Sequence, residues 1–231
     1  MSKLINTAIL IDGGFFLKRY PRVIKNGREH SPEEVADNLI KYTNKHIQKD
    51  CFLYRILYYD SKPLDKRVHN PISKKSIVFN KTPEFKFRND FFEQLKKRRK
   101  VALRLGILKS TDWQIRPWKL KQLLNGEITI KDIDENDVFY QMSQKRVDMK
   151  IGLDIASLAL KSTVDRIILI SGDSDFVPAA KMARREGIDF ILDPMWNNID
   201  PNLFEHIDGL YSTFPKPVIK KNPKSKEDKA T

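Results

Sequence analysis

Ile167-Ile168-Leu169-Ile170 runs directly into Ser171-Gly172-Asp173-Ser174-Asp175, and few folds accommodate so abrupt a change. Four consecutive apolar residues, three of them isoleucine, need burial on both faces, which a strand inside a parallel sheet supplies. Gly172 lets the backbone turn, and a helical pattern resumes near Phe176 and stops at Gly187. In open α/β sheets, ligands bind outside the carboxyl ends of the strands, so Asp173 and Asp175 are expected at such a crevice.

The same design recurs. Thr7–Ile11 is a short apolar run that ends on Asp12-Gly13-Gly14, and Phe52–Tyr59 is another that ends on Asp60. Val101–Gly106 and Ile188–Leu192 read as further strands. Between them lie helical patterns. Ser31-Pro32-Glu33-Glu34 is a capping box with proline in the first turn, opening a helix that ends near Lys49. A second helix begins at Phe91, and Lys145-Arg146-Val147-Asp148 leads into a third, apolar around much of its circumference from Met149 on and so expected to be buried. Pro201 opens a short last helix. Strands alternating with helices imply βαβ units and one mostly parallel sheet covered on both faces, a Rossmann-like three-layer α/β/α sandwich. The expected domain spans 1–214. Residues 61–90, punctuated by Pro63, Pro71 and Pro83, read as a loop excursion with one brief strand at Ile77–Phe79. Residues 215–231, with six lysines and three prolines, read as a disordered basic tail.

Asp12, Asp173 and Asp175 follow strands, and Asp148 stands at the start of the apolar helix. In a parallel sheet these places converge. Asp154 is a fifth candidate, which shares the site only if Asp148 lies outside the regular helix. Each aspartate has a plainer reading: Asp148 and Asp175 as helix caps, Asp12 as an Asx-turn. Gathered together, however, several carboxylates cannot all stay ionised without a counter-charge. A divalent cation supplies one, and oxygen-only ligands select Mg²⁺ or Mn²⁺ over zinc. The chemistry that fits is water attacking a phosphodiester.

Ile9-Leu10-Ile11-Asp12-Gly13, Lys145-Arg146-Val147-Asp148 and Ile170-Ser171-Gly172-Asp173-Ser174-Asp175-Phe176-Val177-Pro178 resemble the three motifs of the NYN domain in its LabA-like branch. The resemblance extends over Phe91–Gly106 and on to about Leu210, leaving out 61–90 and the tail. It implies a PIN-like fold and a Mg²⁺- or Mn²⁺-dependent nuclease site. Asp12, Asp148, Asp173 and Asp175 would be its catalytic metal ligands, joined by Asp154, with Ser171 hydrogen-bonded to a ligand carboxylate. Many members of that family carry Asn or another polar residue where Phe15 stands, and glycine where Arg146 stands.

Lys and Arg total 43 against 30 for Asp and Glu, a formal charge of +13. Such an excess attracts a polyanion, and RNA is the expected partner, with DNA and a homodimer left open. Lys96, Lys97, Arg98 and Arg99 form the densest basic run, and Lys145 and Arg146 adjoin a motif carboxylate. Trp113, Arg116 and Trp118 interleave aromatic and cationic side chains, as single-strand binders and packed cores both do. Cys51 is the only cysteine, no signal peptide opens the chain, and no stretch approaches the roughly 20 apolar residues of a membrane span. A reducing, cytoplasmic setting follows as an expectation. Two rivals to a ribonuclease remain. One is an RNA-binding NYN protein without turnover. The other is a phosphohydrolase acting on a small ester, disfavoured because no Asp-x-Asp-x-Thr run is present and the charge would have no use.

Overall fold

The computed structural model describes residues 4–217; most of the tail expected at 215–231 lies outside them. Strand β1 (Ile5–Asp12) leads into helices α1 (Gly13–Val23) and α2 (Pro32–Thr43), then strand β2 (Cys51–Ser61). Side chains alternate across β1. Ala8 and Leu10 enter one hydrophobic cluster, Ile9 and Ile11 a second on the opposite face. The capping box at α2 forms: Ser31 Oγ accepts the Glu34 amide at 3.3 Å, and Glu34 accepts the Ser31 amide at 2.7 Å. The helix stops at Thr43, short of the expected end near Lys49, because a 3₁₀ turn (Asn44–His46) takes the chain on toward β2.

Residues 61–90 hold more regular structure than the sequence suggests. Strands β3 (Arg67–His69) and β4 (Ser76–Val78) form an antiparallel hairpin, and helix α3 (Pro83–Lys96) starts well before Phe91. Thr82 Oγ1 accepts the Phe85 amide at 3.2 Å and Pro83 takes the first turn, so the start signal is local. The charged residues that made this stretch look like loop form the solvent face of α3, while Phe91, Phe92 and Leu95 bury the other.

Strand β5 (Val101–Ile115) runs far beyond the expected end at Gly106. It is followed by α4 (Pro117–Leu124), β6 (Val138–Lys145), α5 (Val147–Leu160), β7 (Arg166–Ile170), α6 (Val177–Arg185), β8 (Asp189–Asp193), α7 (Pro201–Phe204) and β9 (Gly209–Leu210). The seven-stranded sheet has the order β6-β5-β2-β1-β7-β8-β9, parallel throughout except for β5 against β6. Helices α5 and α6 cover one face, and α1, α2 and α3 the other. The α/β three-layer reading therefore holds. One expectation about α5 does not: Met149, Leu153 and Leu160 are 64%, 61% and 62% exposed, so only the stripe through Ile151, Ile155 and Leu158 is buried.

Pairing of β5 with β2 ends at Gly106 opposite Ser61. Beyond it Ile107–Ser110 and Trp113–Ile115 pair with β6 alone across a register shift, forming an arm of about 30 Å that continues past the carboxyl edge of the sheet. Trp113 packs edge-on against Tyr140 on this arm at 5.6 Å, whereas Trp118 on α4 is 56% exposed. Trp113 is thus half-buried against its arm neighbour, and neither tryptophan belongs to the hydrophobic core. Among the described residues no helix is long and apolar enough to cross a membrane.

Candidate metal centre

Four aspartates reach the carboxyl edge by three routes. Asp12 ends β1 and caps α1, its Oδ1 accepting the Phe15 amide at 3.1 Å. Ser171, the first residue beyond β7, donates its hydroxyl to Asp12 Oδ2 at 3.3 Å. Two residues on, Asp173 caps a 3₁₀ turn (Ser174–Phe176) by accepting the Asp175 amide at 3.0 Å. Asp148 arrives in the first turn of α5. To start that helix beside the sheet, β5 must pass close by: a Cβ on Gly106 would lie 2.8 Å from Lys145 O and 2.9 Å from Val147 Cγ2. The chain enters α5 through Arg146 at φ 70°, the left-handed region that favours glycine.

The turn role read for Asp12 is real, but Asp148 and Asp175 are not caps: α5 opens from Arg146 and α6 from Phe176, neither with a side-chain cap, and the capping carboxylate after β7 is Asp173. Burial, reinforced by the charges of Asp148 and Asp60, pushes Asp12 up to about 6 against the bonds from Phe15 and Ser171. Burial also raises Asp148, with Asp173 and Asp175 adding repulsion. Among the described residues no Lys, Arg or His forms an ion pair with any of the four. The donors are all oxygen and the local charge is uncompensated, which suits a hard divalent cation. Among the described residues, no three His, Cys, Asp or Glu side chains surround a single point closely enough to hold a metal ion. The donor chemistry fits the ion; the side chains are neighbours along an edge.

Asp154 takes a different place. Its Oδ2 accepts the Tyr59 hydroxyl at 2.7 Å and pairs with Arg104 at 3.1 Å, committing it to side chains of β2 and β5. Asp60, which the sequence reading noted only as a strand terminus, belongs to the site's surroundings instead. It is fully buried, held by Arg88 Nη1 at 2.9 and 3.0 Å, Gln144 Nε2 at 3.1 Å and the Ser61 amide at 2.7 Å. Burial raises its pKa while Arg88 pulls it down. The signal was the repeated strand-then-carboxylate pattern; the partners sat in stretches without a recognisable motif.

The basic residues divide. Lys145 and Arg146 are exposed immediately before Val147 and Asp148, at the carboxyl edge. Lys96, Lys97, Arg98 and Arg99 precede Val101, which pairs with Ile56 at the start of the β2–β5 ladder, whereas Asp12 pairs with Tyr59 near its end. They occupy the opposite edge, and Lys96 and Arg98 are paired with Glu93 and Asp37.

Residues 71–196 match the NYN domain, more than half of the chain. The chain belongs to the NYN domain family. Its fold is PIN-like, and the family is generally nuclease-like. The match takes in Asp148, Asp173 and Asp175, and it also takes in 71–90, which the sequence resemblance had left out. No curated protein matches. A crystal structure of a protein of unknown function from Vibrio parahaemolyticus is similar at 15% identity, covering 92% of this chain and 94% of that one, with a TM-score of 0.43.

Proposed function

We propose that this NYN domain is a metal-dependent ribonuclease. One observation carries the reading: carboxylates from β1, α5 and the turn after β7 collect at one sheet edge with no cationic side chain among the described residues paired to them. Asp12, Asp148, Asp173 and Asp175 would hold Mg²⁺ or Mn²⁺, which when bound supplies water activation and charge stabilisation at phosphorus. Ser171 keeps Asp12 oriented through its hydroxyl. Lys145 and Arg146 offer fixed positive charge to the flanking phosphates. Between residues 62 and 88, eight Lys and Arg stand against two Asp and Glu, so the chain entering the edge from β2 is itself basic. The Ile170–Pro178 segment supports the LabA-like branch, and the single buried Cys51 a reducing, cytoplasmic setting.

RNA binding without turnover is the second reading. The carboxylates do not surround one point, and the Phe15 ring abuts Gly172, 2.8 Å from where its Cβ would stand, at a position where relatives are polar. Labelled single-stranded RNA, incubated with Mn²⁺, Mg²⁺ or EDTA, separates the two. Cleavage that needs the metal and disappears in Asp173→Asn, with the melting curve retained, is the expected result. RNA bound equally in EDTA and never cut would establish the second reading.

A further inference from the structure

The end of β2 opens on a cavity of about 170 Å³ that the carboxylate cluster does not use. It lies where the 61–90 stretch meets the base of the β5–β6 arm. Phe79, Phe85, Leu108 and Met142 supply apolar walls; Ser61, Arg88 and Gln144 supply polar ones. Arg88 is paired with the buried Asp60 and also with Glu84, a lining carboxylate that is 75% exposed at the rim, so the buried part of the cavity presents hydrogen-bonding groups without a net charge to repel a neutral ring. Ser61 is only 2% exposed, and its hydroxyl has no hydrogen-bond partner among the described residues. A buried hydroxyl left unpaired is costly, and a polar ligand edge would satisfy it.

Gln144 joins this cavity to the carboxylates. Its Nε2 donates to Asp60, and its Oε1 lies 3.4 Å from the point where a Cβ on Gly14 would stand, with Asp12 Oδ1 3.5 Å from the same point. One glycine therefore separates the cavity wall from a carboxylate of the centre. The volume suits a single flat ring system rather than a whole nucleotide, and apolar walls with a few convergent polar groups are how such rings are held.

The geometry points to a subsite for one nucleobase, the base next to the phosphodiester that lies at the carboxylates. This rests on the nucleic-acid reading of the centre. It requires a single strand, because a base must leave its stack to enter. The 61–90 stretch, with its Phe79, Thr82, Phe85 and Arg88, then acts as a specificity-determining insert rather than a spacer.

Single-stranded RNA oligomers with one abasic position, stepped along the strand, test this by binding to the full chain in EDTA and by cleavage with Mn²⁺. Wild type is expected to lose about tenfold in affinity at one abasic position, at a fixed offset from the bond cut. Phe85→Ala and Met142→Ala should flatten that dependence and keep the salt-sensitive remainder. Met142 is 42% exposed, so its truncation leaves the fold intact if Phe85→Ala does not. Metal-dependent cleavage with no positional effect, or one unchanged in both variants, overturns the subsite and leaves the nuclease standing. Position-dependent binding without cleavage keeps the subsite and removes the nuclease. RNA that does not bind at all removes both.

Discussion

Asp12 meets three demands at once, capping α1, accepting Ser171 and facing Asp148, and its burial makes the charged form expensive. With a folded value of about 6 against 3.8 unperturbed, the fold retains a proton that the unfolded chain has already lost between these values. Metal-free stability should therefore fall as pH rises from about 4 to 6 and level off above. Asp12→Asn, which resembles the protonated acid, should match wild type near pH 4 and exceed it at pH 7.5 by roughly 1–3 kcal/mol. Urea unfolding at the two pH values in EDTA measures this; an equal gap at both would refute it. Arg146 makes a second demand on the backbone. At φ 70° it sits where glycine relieves strain. Arg146→Gly should raise stability by about 1 kcal/mol and weaken RNA binding at low salt, since it also deletes a charge beside Asp148. A variant no more stable than wild type would show that Arg146 makes compensating contacts.

Asp60 and Arg88 tie the end of β2 to α3 through a buried pair, with their side chains 0% and 20% exposed. Removing the cation strands the carboxylate, so Arg88→Met should cost about 3 kcal/mol at pH 7, and adding Asp60→Asn should recover most of it. Denaturant midpoints of the two single variants and the double decide the matter, and additive losses would sink the coupling. This pair also shows where the sequence stops being readable. Asp60 was visible as a strand terminus because local pattern marks strand ends. Arg88 was not, because Thr82-Pro83 marks a helix start only if the charged residues after it are taken as a solvent face. The α2 capping box, β1, β7 and α6 were legible for the opposite reason: their signals are complete within a few residues. The length of β5 and the existence of β6 depend on pairing across the intervening α4 segment, a non-local event with weak local patterning. Likewise the motif aspartates could be named from their neighbours in sequence, whereas the commitment of Asp154 to Tyr59 and Arg104 depends on register between β2, β5 and α5.

At the scale of the whole molecule the chain is strongly basic, +13, yet its carboxyl edge carries an uncompensated acidic cluster. The two are complementary: a polyanion drawn to the basic surface cannot approach that edge until the carboxylates are neutralised. A bound divalent ion resolves the conflict, and this makes metal response a global property of the fold. An ion that binds only the folded state stabilises it by about 2.7 kcal/mol at a hundred times its dissociation constant. Mn²⁺ or Mg²⁺ should therefore raise the melting temperature in EDTA-free buffer at pH 7.5, and excess EDTA should reverse the gain. Protons compete for Asp12 and Asp148, both raised by burial, so the gain should shrink as pH falls through 6 and be largely gone by pH 5. KCl at matched ionic strength should not reproduce it, because screening alone does not bridge carboxylates. Asp148→Asn and Asp175→Asn should each abolish most of the response, while Asp154→Asn, whose carboxylate is already paired with Arg104, should keep it. A response that survives in the first two variants and vanishes in the third would move the centre from the strand edge to the side of α5, and with it the water, the phosphate and the base that the edge is argued to bring together.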